Sequence, residues 1–114
     1  MIDPVLFTNL RLRGGFTIAE IQFTREPISD ALGREAAAQT RIMGAQFRLL
    51  IQSGLSEDEL SITLYHEILE AASLASLSPP TSVVHFNEGD FEQAARSMHE
   101  TLGKASQESL NRML

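Results

Sequence analysis

In the segment LYHEILEAA, residues 64 to 72, His66, Glu67 and Glu70 interrupt an otherwise apolar run. Imidazole and carboxylate are side chains that bind divalent cations and move protons near neutral pH. Residues four apart on a helix lie one above the other, roughly 5–6 Å between Cβ atoms. His66 and Glu70 could therefore converge on one ion at about 2 Å each. Glu67, next to His66, cannot join that grip and would face the adjacent open side, where a water could be activated. The same spacing also occurs on ordinary solvated helices, where such a pair contributes only ~0.2–0.5 kcal/mol. What surrounds the three residues separates the two readings.

The surrounding segment, residues 54 to 80, has the strongest helical pattern in the chain. Ser56 and Glu59 have the spacing of a capping box, each side chain able to satisfy a backbone N–H at the helix start. Glu57 and Asp58 place negative charge at the positive end of the helix dipole. Pro79-Pro80 stops the helix a few residues after Leu74. At ~100° per residue, Leu60, Leu64, Tyr65, Ile68, Leu69, Ala71, Ala72 and Ala75 cover roughly two thirds of its circumference. Glu59, Thr63, His66, Glu67, Glu70 and Ser73 fill the narrow arc that remains. A helix patterned this way is embedded on most sides and keeps one polar strip.

The elements before it read mainly as strands. Ala19, Ile21 and Phe23 alternate with Glu20, Gln22 and Thr24, the period of a half-buried strand, which Pro27 and Ser29-Asp30 end. Residues 33 to 54 suit either a helix, through their alanines, or a hairpin. Thr40, Ile42, Phe47, Leu49 and Ile51 favour the hairpin, turning at Met43-Gly44, with residues 45 to 51 its more secure strand. After the motif helix, a short apolar piece and a turn at Asn87-Glu88-Gly89 lead to a second helix. Asp90 is its expected cap, Phe91, Ala94, Ala95, Met98 and Leu102 its buried side, and Gly103 its end. The tail could form one more helix, with Leu110, Met113 and Leu114 as its apolar contacts.

The chain has 114 residues, enough for a single domain with a modest core and no evident linker. With 43% hydrophobic and 21% charged residues, it has the balance of a globular protein. A net charge of -6, with no cluster of basic and aromatic residues, disfavours nucleic acid as a partner. The chain has no cysteine, which excludes disulfides, thiolate metal sites and a cysteine nucleophile. No apolar run approaches the roughly 20 residues of a membrane span. The first residues show no secretory pattern, so a cytoplasmic setting is the expectation. There is no G-x-S-x-G for serine chemistry, and neither RLRGG (11 to 15) nor GREAAAQT (33 to 40) matches a phosphate-binding loop.

FRLLIQSGLSEDELSITLYHEILEAA, residues 47 to 72, resembles the core of the zincin-like metallopeptidases, in which an edge strand precedes a helix bearing H-E-x-x-H. It is most similar to small bacterial and phage-type members, on the strength of Leu64, His66, Glu67, Glu70 and Ala71. The resemblance covers roughly residues 45 to 100. With strands in the first half and helices in the second, residues 1–114 read as one α+β domain of zincin-like type, a small antiparallel sheet packed on the long motif helix with a second helix behind. The resemblance implies a metal-dependent peptidase, with His66 as first ligand and Glu67 as the general base. Glu70 stands where the usual motif has its second histidine, an H-E-x-x-E variant. A carboxylate there still suits Zn2+, makes Mn or Fe thinkable, and also fits an inactive relative. The third ligand would lie downstream. His85 is the first candidate, and Glu88, Asp90 and Glu92 compete with it. His99 reads as a surface residue. The expected partner is a protein or peptide substrate, and the oligomeric state stays open. The alternative is a non-catalytic protein-interaction module using the same helix strip.

Overall fold

A computed structural model of the chain describes residues 2–29, 33–75 and 88–114. A 3-10 turn at Pro4–Phe7, whose first turn is capped by Asp3, leads into strand β1 (Leu10–Arg11). Strands β2 (Thr17–Thr24), β3 (Ile28–Ser29), β4 (Glu35–Ala36), β5 (Ala38–Met43) and β6 (Gln46–Gln52) follow. Helices α1 (Glu57–Ala75), α2 (Glu88–Leu102) and α3 (Gln107–Met113) complete the chain. The architecture is α+β, as the sequence pattern predicts.

The main sheet has the order β1-β2-β6-β5, while β3 and β4 pair separately. Residues 38 to 52 form the expected hairpin, β5 against β6, with Met43 opposite Gln46. Gly44, at φ 62°, fills the first loop position, where a two-residue hairpin connection asks for a left-handed residue. The sheet differs from the antiparallel one expected, because β2 runs parallel to β6. Parallel neighbours need a long connection, and the stretch from β3 through β5 supplies it. The alternation in β2 also breaks. A bulge falls between Ile18 and Glu20, so Ile18 takes the inward place opposite Phe47, while Ile21 and Phe23 stay in phase opposite Leu49 and Ile51. An extra residue in one strand shifts its facing pattern by one. Ala19 is the residue displaced, and Phe23, near the strand's end, is 42% exposed.

Helix α1 lies against this sheet, with α2 and α3 packed on its other sides. Ser61, Ile62, Thr63, Leu64 and Tyr65 are all buried in succession. Successive residues step by about 100°, so that run buries the helix on most sides, with Thr63 edging the polar strip. The embedding expected from the helical wheel is present. At the start of α1, the Ser56 hydroxyl accepts from the Glu59 N–H at 3.2 Å. The core joins Ile18, Phe47, Leu49 and Ile51 to Leu64, Tyr65, Ile68, Ala71 and Ala72 of α1, Ala95 of α2 and Leu110 of α3.

Helix α2 begins at Glu88, so Asp90 stands in its first turn rather than capping it. Phe91 and Ala95 are buried as expected, and Gly103 (φ 81°) closes the helix by donating its N–H to the His99 carbonyl at 3.0 Å. Tyr65 anchors this end, its hydroxyl donating to the Gly103 carbonyl at 2.7 Å. In α3, Ser106 and Ser109 form a reciprocal capping box. Among the described residues, no helix is long and apolar enough to cross a membrane.

Candidate functional site

The polar strip of α1 opens into a cleft of about 700 Å³. Its walls are α1, through Thr63, His66, Glu67 and Glu70, the strand β5, and Glu92 of α2. Strand β5 is the last in its sheet. The pairing of Thr40 with buried Leu49 turns the Thr40 side chain toward α1, since cross-strand partners share a face.

His66 is the centre of the cluster. Its side chain is 15% exposed, and both ring nitrogens face carboxylates. Nδ1 lies 2.7 Å from Glu92 Oε2, and Nε2 lies 3.1 Å from Glu70 Oε2. The buried Phe91 ring stands beside the imidazole, centroids 6.2 Å apart. Helix geometry sets the Glu70 contact, one turn along α1, while packing of α2 on α1 sets the Glu92 contact. Arg96 holds the other oxygen of Glu92 at 3.2 Å. Glu67 also lines the cleft, and its Oε2 accepts a hydrogen bond from the Thr40 hydroxyl at 3.1 Å.

The structure thus brings together His66, Glu67, Glu70 and Glu92. Two donors held at 2.0–2.1 Å in tetrahedral array stand roughly 3.3 Å apart, close to the separation of His66 Nε2 and Glu70 Oε2. That separation is also the one of a hydrogen bond between the two groups. Glu92 was an alternative third ligand, but it contacts the opposite ring nitrogen, the position of a carboxylate that orients a metal-binding imidazole. Among the described residues, no group of three His, Asp or Glu side chains is arranged to hold a metal ion. Asp90 is half-buried on α2 and joins no such group. His85 lies outside the described residues, as does the side chain of Glu88.

His99 differs from its expected surface role. Its side chain is 18% exposed, and Nδ1 lies 2.8 Å from the fully buried Ser61 hydroxyl. The reason is the burial of Ser61, a polar group that needs partners. Ser61 Oγ also accepts the Ala105 N–H at 2.8 Å. With Asp58 3.5 Å from His99 Nε2, the trio contains the residue types of a serine triad. A hydroxyl with 0% exposure, already bound to a backbone N–H, is a tether for the α2–α3 turn and not a nucleophile.

Sequence reasoning missed one contributor to the site, Thr40, and gave another, Glu92, a different role. Thr40 entered it only as a strand former. Its hairpin partner Leu49 was the usable signal, because that core residue fixes which face Thr40 shares. The sequence offers Glu92 as a ligand, and its place on Nδ1 depends on how two helices pack. No protein-family model, curated protein or solved structure matches this chain.

Proposed function

We propose that this chain is a metal-dependent peptidase of zincin-like type. The observation that carries the reading is the clamped imidazole: His66, with Glu92 on one ring nitrogen and Glu70 at ligand spacing on the other, in the wall of a cleft bounded by an edge strand. His66 and Glu70 would hold the cation, zinc first and manganese or iron as alternatives given the oxygen donor. The reading requires a further donor beyond the described residues, for which His85 remains the candidate. A cation bound there would supply Lewis acidity and make a water more acidic.

The chain's own groups would do the rest. Glu92 would fix the ring orientation of His66 and keep a proton on Nδ1, so that with a cation bound the Nε2 lone pair could be given to it beside Glu70. Glu67, steadied by the Thr40 hydroxyl at 3.1 Å, would take a proton from the attacking water and return it to the leaving amine. An extended substrate could lie along the outer edge of β5, where main-chain groups offer hydrogen bonds in strand register. A cytoplasmic setting is part of this proposal.

The test is elemental analysis of the purified protein with a generic protein substrate alongside. Glu67→Gln should keep the metal and end proteolysis. A His66→Ala/Glu70→Ala variant that retains as much metal as the natural chain would overturn the assignment. The rival, a non-catalytic module binding peptides in the same cleft, draws on the lack of a three-ligand group among the described residues. It predicts peptide binding that survives chelation.

A further inference from the structure

Away from the cleft, a second surface concentrates charge of the opposite sign. The chain carries 15 acidic and 9 basic residues, yet Arg11, Arg13 and Arg112 line one open groove of about 570 Å³. Arg112 is held by Glu108, one turn before it, at 2.9 Å. Among the described residues, Arg11 and Arg13 form no ion pair, as Arg25 and Arg41 form none elsewhere, and the groove brings these two together.

The local fold explains how two like charges are presented together. Arg11 ends β1, and Leu12 continues extended at φ -114° and ψ 162°. Leu12 is 6% exposed and packs into the core, so its neighbours on either side both point outward. Backbone groups pin the segment to α3. Arg13 N–H donates to Asn111 Oδ1 at 2.8 Å, and Gln107 Nε2 donates to the Arg11 carbonyl at 3.3 Å. The guanidiniums therefore take no part in holding the segment. Across extended Leu12 the Arg11 and Arg13 backbones stand about 6.6 Å apart, Arg13 opening a 3-10 turn, and Arg112 of α3 lines the same groove with Glu108.

We infer that this groove docks an acidic, extended segment of a partner protein, with carboxylates at alternate positions taken by Arg11 and Arg13. Guanidinium forks match carboxylates bidentately. Acidic residues two apart on an extended chain share the spacing of the two arginines. A lone small oxyanion fits less well, because the groove is open and the Arg13 N–H is already engaged. This surface is independent of the cleft and of the activity proposed for it.

The experiment is fluorescence anisotropy with a labelled peptide bearing glutamates at alternate positions, set against the same peptide with glutamines. The glutamate peptide should bind and the glutamine peptide should not. Arg11→Gln/Arg13→Gln should weaken binding about tenfold or more, Arg112→Gln should weaken it less, and Arg25→Gln, outside the groove, should leave it unchanged. Circular dichroism checks that each variant is folded. Equal binding of the two peptides, no binding to the natural chain, or an unaffected double variant would overturn the inference. So would inorganic phosphate that displaces the peptide and is itself lost in the double variant, which would make the groove a small-oxyanion site.

Discussion

Glu92→Ala isolates the arrangement on which the proposed activity depends. The carboxylate reaches across from α2 and meets His66 Nδ1 at 2.7 Å. Removing it frees the imidazole to turn and to move its proton to Nε2, where it would block the face toward Glu70. Loss of such an orienting partner commonly weakens metal binding 10–100-fold. The Glu92 side chain is 41% exposed, so water can take over part of its role. The expected loss therefore sits near the lower end, about tenfold or ~1.4 kcal/mol. Competition for zinc against a chromophoric chelator measures it, with Glu100→Ala, exposed on the same helix, as the baseline. If the natural chain binds zinc and Glu92→Ala binds it equally well, the orienting role is refuted. If the natural chain binds none, the metal reading itself fails.

Three further residues of α1, Tyr65, Ser61 and Glu57, test how the helix is held to the α2–α3 turn. Tyr65→Phe should cost about 1 kcal/mol and lower Tm by roughly 4–5 °C, because it strands the Gly103 carbonyl; thermal melts by circular dichroism read this. Burial raises the phenol of Tyr65, the only tyrosine, above its ordinary 10.0. Its contribution is complete below that pH and lost as pH rises past it, so phenolate absorbance should appear late and together with unfolding. Ser61→Ala should cost about 2–3 kcal/mol in urea unfolding, since both the buried Ala105 N–H and His99 lose a partner. The hydrogen bond from Lys104 lowers the Glu57 carboxyl from 4.5 to about 2. That contribution is present above pH 4.5 and disappears as pH falls toward 2, so Glu57→Gln should give a flatter acid-unfolding profile across that window.

What could be read from residue types alone was periodic or local. The embedding of α1 followed from its narrow polar arc, the β5–β6 turn from Gly44, and the end of α2 from Gly103. The stacking of His66 on Glu70 needed only the helical repeat. The parallel pairing of β2 with β6 was hidden, because strand order depends on how the chain crosses back, and no local pattern encodes that. The bulge at Ala19 was hidden for a related reason, since an inserted residue looks like ordinary alternation until its partner strand is known. His99 misled because helical position alone placed it at the surface, while burial of Ser61, a full α1–α2 contact away, drew it inward.

The cluster around His66 also makes a claim about stability. Exposures of 15%, 25% and 41% for His66, Glu70 and Glu92 mean partial desolvation of an imidazole and two carboxylates. Burying such groups costs solvation that their mutual attraction only roughly offsets, so apolar replacements of similar volume are often neutral or stabilising. A cluster kept for structure should behave differently from one kept for a ligand. The combined variant His66→Met/Glu70→Leu/Glu92→Leu extends the apolar surface already supplied by Phe91 and Ala71. If the cluster serves a cation, that variant should melt at or above the natural chain's Tm in chelator, and only the natural chain should gain stability when zinc is added, through linkage to binding. A fall in Tm of more than ~10 °C in chelator, equivalent to over about 2 kcal/mol for a chain of this size, would mean that the three groups hold α1 to α2. The case for a site built around a ligand would then lose its physical basis.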